Sequence, residues 1–438
     1  MPNDAALDSE PSSAPQEERQ WRKIKRLLHF AYERVPFYRK RFNEMGAEPA
    51  DFKSSADLLR FPLLTRSDVL AHVEEMLAEP KEKLIRGHSG GSTGIPLIIY
   101  RRKNDSRYRH ALWRQVDGWV GANFLWPSME IGTSSVTCNV PKDIGPWRRI
   151  VQPHYRYAFS RITEADVERV IKELAVIKPR RIHGFPSYLR PLALALSEKG
   201  SSPFPPPHML TGVGEMLADE GRTLLQDAFG APFYNRYASR ENTMMAAECR
   251  LRCGYHVLTN HVYLEILVDG RLTPSGQPGS VVVTDLDSMG MVYIRYQNED
   301  IASWAGHPCP CGRKEPLLMG ILGRFTDALI DCDGSIHLGS AMVRPLREAV
   351  NERHIQLLQL LQNTEGKLEV LVVPGPDWEI EDPSLVETVL AREFRGRMAI
   401  SIRTVPRITP DPSGKTRLVK SLHARTDNNW NKPFEPGL

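Results

Sequence analysis

Residues Ser89-Gly90-Gly91-Ser92-Thr93-Gly94-Ile95-Pro96 open with three glycines and three hydroxyl side chains in six positions. Glycine lets the backbone approach a ligand closely and take up positive φ. Successive N–H groups and hydroxyls can then surround phosphate oxygens. A flexible Gly/Ser turn is the plain alternative. The stretch is not a Walker loop, because G-x-x-x-x-G-K-[ST] is absent, nor is it a clean dinucleotide fingerprint. It carries no cation of its own. A lysine in a tight polar turn lies far downstream, as Lys415 in Pro412-Ser413-Gly414-Lys415-Thr416-Arg417.

Three further stretches have side chains suited to nucleotide chemistry. In Tyr237-Ala238-Ser239-Arg240-Glu241 an aromatic ring can cover a flat base and a carboxylate can hold magnesium. Five such residues equally suit a helix start. In Ile294-Arg295-Tyr296-Gln297-Asn298-Glu299-Asp300 a carboxylate after a strand can accept bonds from a ribose diol. A turn or cap role for Asp300 is the alternative. Gly323-Arg324-Phe325-Thr326-Asp327 adds a cation.

Cysteines make a second kind of site. Cys249-x₃-Cys253 and Cys309-Pro-Cys311-Gly are close pairs, whereas Cys138 and Cys332 stand alone. In a large, cytosolic chain such pairs point to metal before disulfides. Four thiolates, Cys249, Cys253, Cys309 and Cys311, or three with His256, match one tetrahedral zinc. The alternative is four ordinary reduced thiols. A zinc here would be structural, bracing the segment that leads to Arg324.

These stretches need a frame. Trp21, Ile24, Leu27, Leu28, Ala31 and Val35 recur at helical spacing, predicting a helix over 21–36 ended by Pro36. Residues 1–20 are polar and acidic, and read as a disordered tail without the build of a signal peptide. Helices are predicted near 164–177 and 186–198, with a loop at Pro205-Pro206-Pro207. Val262, Leu264, Ile266 and Val268 alternate into an Asp269-Gly270 turn. Gly279–Asp285 and Met291–Tyr296 read as further strands, and Leu368, Val370 and Val372 alternate after Glu365-Gly366. Helices mixed with strands predict an α/β body, with a smaller α+β unit after about residue 323.

The bulk numbers exclude several classes. The 438 residues carry 57 basic and 53 acidic side chains, a net charge of +4. That balance argues against nucleic acid or a membrane surface as partner. A run of about 18 apolar residues is missing, so no transmembrane helix is expected and the chain reads as cytoplasmic.

Taken in order, these motifs resemble those of the adenylate-forming superfamily of acyl-CoA synthetases and related ligases. The similarity is greatest to its phenylacetate–CoA ligase and CapK-like branch. It runs from about residue 20 through LLHFAYERVPFYRKRF, FPLLTRSDV, SGGSTGIP, HGFPSYL (183–189), GEML (214–217) and PSGKTR. The resemblance implies a large N-terminal ATP- and acid-binding domain, layered αβαβα, over 21–323. It further implies a small mobile α+β lid over 324–438 that presents the catalytic Lys415. Such enzymes join a carboxylic acid to ATP as an acyl-adenylate, then pass the acyl group to CoA. An amide synthetase of the same fold, using an amine such as an amino acid, is the alternative. A catalytically inactive relative serving as a binding module is a third reading.

By the same resemblance, ATP would be held by Ser89, Gly90, Gly91, Ser92, Thr93, Gly94, Tyr237, Ser239, Glu241, Asp300 and Arg324, with magnesium at Glu241. Phe185, Tyr188, Tyr234 and Tyr237 are candidates to line an aromatic or apolar acid pocket, with core packing as the alternative for each. His88 and His183 adjoin the loop and pocket segments. Arg101, Arg102, Lys103, Arg107 and Arg109 could meet CoA phosphates, although a basic cluster is usually a solvated face. The expected partners are small molecules, the protein acting as a monomer or homodimer. The sequence departs from the family pattern at Ala238, Arg240, Glu299 and Thr326.

Overall fold

The computed structural model describes residues 15–89, 97–123, 125–133, 154–159, 162–200, 202–215, 217, 219–324, 328–333, 336–338, 342, 346, 350, 354–375, 377–379, 382–409 and 419–421. The architecture is mixed α/β. The helices are α1 (Gln16–Arg34), α2 (Pro36–Met45), α3 (Arg66–Ala71), α4 (Asp105–Trp119), α5 (Glu164–Ile177), α6 (Pro186–Glu198), α7 (Asp219–Phe229) and α8 (Asp382–Glu393). In chain order, the strands start with β1 (Ile85–His88), β2 (Ile98–Arg101), β3 (Ser128–Thr133), β4 (His154–Phe159), β5 (Arg181–Gly184), β6 (Met209–Val213) and β7 (Phe233–Ser239). They continue with β8 (Thr243–Glu248), β9 (Tyr255–Val257), β10 (Val262–Val268), β11 (Arg271–Leu272), β12 (Gly279–Asp285), β13 (Tyr296–Trp304) and β14 (Leu317–Arg324). The last are β15 (Ala328–Ile330), β16 (Ile336–Leu338), β17 (Ile355–Thr364), β18 (Lys367–Pro374), β19 (Ala399–Thr404) and β20 (Val419–Ser421).

Twelve strands form one sheet in the order β11-β10-β12-β13-β14-β9-β8-β7-β6-β5-β3-β4. From β4 to β7 the neighbours are parallel. From β7 onward every pairing is antiparallel. Helices α5, α6 and α7 supply the crossovers that parallel strands require. Helix α5 begins at Thr163, whose hydroxyl accepts from Asp166 N while Asp166 answers to the Thr163 backbone. Gly184, at the end of β5, has no room for a side chain: a Cβ there would lie 2.5 Å from the Ile131 carbonyl oxygen.

Helices α1 and α2 pack with residues 286–296, so Ile24, Leu27, Leu28 and Phe42 share one core with Tyr293 and Ile294. A second core under β3, β5 and β6 includes Val170, Leu189 and Phe233. A four-stranded sheet, β19-β18-β17-β20, has its own core of Leu360, Val370, Val386 and Phe394. Among the described residues no helix is long and apolar enough to cross a membrane.

The predicted helices over 164–177 and 186–198 match α5 and α6. The Asp269-Gly270 turn has φ of 52° and 73° and joins β10 to β11 with Val268 opposite Arg271. That is the paired positive φ of a tight hairpin. Two expectations need correction. The first helix begins at Gln16, so 16–20, expected within the loose tail, are helical. Gln16 and Gln20 are held there by Thr259 and by the Thr259 and Val262 carbonyls. Second, Met291–Arg295 is not a ladder strand; β13 starts at Tyr296. Arg295 has φ of 52° and its guanidinium is fixed by Glu265 and the Leu59 carbonyl, which turns the chain out of the pleat.

Candidate active site

Parallel strands of one sheet all end on the same edge, and ligands of open α/β sheets sit beyond those carboxyl ends. Here β5, β6 and β7 deliver Phe185, Gly214-Glu215 and Arg240-Glu241 to that edge. The two motifs HGFPSYL and GEML meet there. Glu215 Oε2 accepts from Ser187 N at 2.8 Å, and its Oε1 from Ser187 Oγ at 2.7 Å. Ser187 lies in the first turn of α6, where a carboxylate satisfies open N–H groups and faces the positive end of the helix.

The β7–β8 turn lies where the sheet changes from parallel to antiparallel. Ser239 Oγ accepts from Asn242 N at 3.0 Å, and Thr243 closes the turn with φ of 59°. Arg240 and Glu241 occupy its tip, with Glu241 buried.

Across from this turn, Asp300 in β13 gathers three partners. Tyr237 donates its hydroxyl to Asp300 Oδ2 at 2.7 Å, Asn298 Nδ2 reaches the same oxygen at 3.1 Å, and Arg324 Nε stands 3.3 Å from Oδ1. Asn298 Nδ2 also donates to the Tyr237 hydroxyl oxygen at 2.7 Å. Arg324 is the register partner of Asp300 across β13 and β14. Burial raises the Asp300 carboxyl above its usual range against the pull of the Arg324 charge. Tyr237, Asp300 and Arg324, chosen from three separate sequence stretches, therefore form one cluster. Asn298 joins it unannounced, because an Asn in a strand carries no pattern of its own.

Ser89 closes the β1–β2 hairpin: its N–H donates to the Leu97 carbonyl and its Oγ accepts from Leu97 N, both at 2.9 Å. Gly90, Gly91, Ser92, Thr93 and Gly94 lie outside the described residues, as do Lys415, Thr326, Asp327 and Cys138. His88 is exposed.

The aromatic acid-pocket set is divided. Phe185 and Tyr188 are buried in the core under β3, β5 and β6, their ring centroids 6.3 Å apart. Tyr237 belongs to a separate core with Met245 and Leu264, and Tyr234 is half-buried between them in sequence. His183 sits at the base of this region, its Nδ1 2.9 Å from Thr211 Oγ1 and its ring edge-on to Trp113 at 5.3 Å. Burial, then the charge of Arg236, brings His183 down to about 4.

The basic segment after β2 is not a uniformly solvated face. Arg102 pairs with Glu79 at 2.6 Å and lies over Phe30, and Lys103 is exposed. Arg101 and Arg109 instead turn inward, and burial lowers both below the usual guanidinium range. The side chain of Arg107 lies outside the described residues.

Cys249, Cys309 and Cys311 converge with His256, their ligand atoms all within 4.8 Å of one another. Cys249 Sγ and Cys309 Sγ are 3.7 Å apart, and Cys311 Sγ is 3.3 Å from His256 Nε2. Zn–S bonds of about 2.3 Å in a tetrahedron place sulfurs roughly 3.8 Å apart, so this donor set fits zinc. Of the two sets left open by the sequence, the three-thiol one is assembled. Cys253 turns its Sγ to the Leu251 carbonyl instead, because Arg252, with φ of 55°, redirects the chain between them. Cys332 is exposed and separate.

No protein-family profile matches the chain. The chain is 29% identical over 342 residues to a phenylacetate-coenzyme A ligase of Thermus thermophilus, covering 75% of this chain and 74% of that protein. It is 24% identical over 196 residues to Protein CapK of Staphylococcus aureus, covering 44% and 43% respectively. Its fold is that of a 2-hydroxyisobutyryl-CoA ligase solved with an acyl-adenylate in the postadenylation state, with a TM-score of 0.74, 20% identity and 94% of each chain covered. In motif order and in fold, the chain is similar to the adenylate-forming superfamily, on the branch of the phenylacetate–CoA ligases and CapK.

Proposed function

We propose that this protein is an ATP-dependent, AMP-forming ligase that activates an aromatic or otherwise apolar carboxylic acid and transfers its acyl group to CoA. The observation that carries the reading is the Asp300 cluster facing the Arg240-Glu241 turn at the parallel-to-antiparallel change. A carboxylate oxygen attacks the α-phosphorus of ATP, the bond to the β-phosphate oxygen breaks, and pyrophosphate leaves. The CoA sulfur then attacks the acyl carbon, the bond to AMP breaks, and the thiol proton passes to solvent.

In this reading Ser89, Gly90, Gly91, Ser92, Thr93 and Gly94 hold phosphate oxygens through N–H groups and hydroxyls. Asp300 accepts the ribose hydroxyls, with Arg324 fixing its orientation, while Tyr237 and Ser239 border the adenosine. Phe185, Tyr188 and Tyr234 border the acid. Glu241 is the carboxylate that would hold magnesium, whose charge offsets that of the phosphates when bound. Residues 324–438 act as the lid, and its Lys415 meets the charge where the carboxylate approaches the α-phosphate. Cys249, His256, Cys309 and Cys311 would hold a structural zinc beside the strand pair leading to Arg324. The cytoplasm suits this set of substrates and reduced thiols.

Incubation with ATP, magnesium and a carboxylic-acid panel, with CoA or amines added, tests the reading. CoA-dependent release of AMP and pyrophosphate is expected. Release that depends on amines alone would make the protein an amide synthetase, and silence with every acid would remove the ligase reading.

A further inference from the structure

Parallel strands covered on both faces are normally built from near-continuous apolar runs. One face of this sheet departs from that. Arg156, Glu130, His183, Thr211 and Tyr234 are register partners in turn across β4, β3, β5, β6 and β7, so their side chains share one face. The opposite face is closed. A Cβ on Gly184 would lie 3.1 Å from Leu189 Cδ2, and one on Gly212 would lie 2.3 Å from Phe233 Cζ. No ligand enters through that core, which also holds Phe185 and Tyr188.

The charges on the polar face answer one another. Glu130 Oε2 meets His154 Nε2 at 3.2 Å and Arg156 Nη2 at 3.0 Å. Arg181 and Arg236 both pair with Asp117 of α4, and Arg236 lies over the Trp113 ring at 4.9 Å. Two hydrogen-bonding groups of the row are left over. His183 Nδ1 meets Thr211 Oγ1, whereas His183 Nε2 and the Tyr234 hydroxyl have no hydrogen-bond partner among the described residues. Thr211 is fully buried, but His183 and Tyr234 on either side of it are only half-buried, so the row is open at these two places. His183 is also the last residue but one of β5, just below the edge where ligands of such sheets sit.

The chemistry of the two groups selects what they can meet. If Thr211 donates to Nδ1, Nε2 carries the proton and donates; if Nδ1 donates to Thr211, Nε2 accepts. A tyrosine hydroxyl does either. A ligand hydroxyl, donor and acceptor at once, suits every such arrangement. A carboxylate would find the nearby Arg181 and Arg236 already committed to Asp117, and a cation would face the Arg236 charge. Burial first, and the Arg236 charge second, keep His183 neutral, which matches a neutral partner. The Trp113 ring, 5.3 Å from His183, adds an aromatic wall beside it.

We propose that His183, with Tyr234 as a second partner, reads a hydroxyl group on the acid, so that the substrate is a ring-hydroxylated aromatic acid. The proposal rests on the ligase reading above and names the substrate class of the same site. The ring hydroxyl turns to the polar row and the carboxylate to the Arg240-Glu241 turn. Phe185 and Tyr188 back the pocket from the core, and discrimination comes from the other face.

Aromatic acids offered in pairs, with and without a ring hydroxyl, test this when AMP formation is followed with ATP, magnesium and CoA. The hydroxylated member is expected to have a kcat/KM about tenfold or more above the plain one, since a site built to bond a hydroxyl rejects the analogue without it. His183→Leu should bring that ratio to within about threefold of one, through loss with the hydroxylated acid. Tyr234→Phe should lower it by about threefold to tenfold. AMP binding within twofold of wild type, by calorimetry, shows that each variant folds, and where His183→Leu does not fold Tyr234→Phe decides alone. A wild-type ratio near one overturns the proposal, and so does a variant that slows both acids alike. Activation of plain acids only would keep the ligase reading and remove the hydroxyl reading. With no acid activated the ligase reading falls, and calorimetric binding of the hydroxylated acid that Tyr234→Phe weakens would still uphold the hydroxyl reading.

Discussion

Tyr237 and Asp300 are joined by a 2.7 Å hydrogen bond that links the last parallel strand, β7, to the antiparallel strand β13. With Asn298 on the same oxygen and Arg324 on the other, the carboxylate is oriented before any ligand arrives. Tyr237→Phe keeps the ring in its core and removes only the hydroxyl. One hydrogen bond to a charged group is worth about 1.5–3 kcal/mol, so the KM for ATP should rise by roughly 10- to 150-fold. Steady-state kinetics at fixed acid concentration measures it, and a KM within twofold of wild type would show that Asp300 needs no such anchor.

Lys415→Ala should lower adenylation by about 10²–10³, the range for one lost electrostatic donor at a developing charge. Binding of a preformed acyl-adenylate should change little. Pyrophosphate exchange close to the wild-type rate would remove Lys415 from the reaction.

Purified protein is expected to contain one zinc per chain. Cys311→Ser and His256→Ala should lose it and melt at lower temperature, whereas Cys253→Ser should retain it, since the Cys253 thiol faces the Leu251 carbonyl. Elemental analysis of the three variants separates this set from one made of four thiols.

His183 gives stability a slope in mild acid. The folded chain keeps this ring neutral down to about pH 4, by burial first and the Arg236 charge second. An unfolded histidine takes up its proton near pH 6.5. This contribution is therefore whole above about pH 6.5 and is lost as the pH falls toward 4, on the order of 2–3 kcal/mol. His183→Gln should flatten that part of the curve of stability against pH. Denaturant midpoints at pH 7 and pH 5 for both proteins measure the difference, and parallel losses would exclude His183 as the cause.

Local periodicity made the helices over 164–177 and 186–198 and the Asp269-Gly270 hairpin legible, because each depends on neighbours a few residues away. The cluster of Tyr237, Asp300 and Arg324 was legible only as separate stretches. That Tyr237, Asp300 and Arg324 touch is a property of strand order, which composition does not encode. Met291–Arg295 looked like a strand because its apolar run is needed for burial alone. The left-handed Arg295 that interrupts it is held by Glu265 and the Leu59 carbonyl, far away in sequence. Cys253 was indistinguishable from its neighbours by spacing, and only the turn at Arg252 excludes it. The inward course of Arg101 and Arg109 was likewise hidden, since a basic run looks the same whether solvated or buried.

The fastening of the N-terminal helices to residues 286–296 has a consequence during synthesis. Tyr38 donates to the Val292 carbonyl and accepts from Ile294 N, and Leu64 exchanges backbone bonds with Arg295 and Gln297. A ribosome makes about 5–20 residues per second, so the apolar faces of α1 and α2 wait roughly 12–55 s for their partners to emerge. Over that interval the nascent chain exposes a greasy, unpaired helical hairpin, and its yield in the cell will track the supply of chaperones that shield such surfaces.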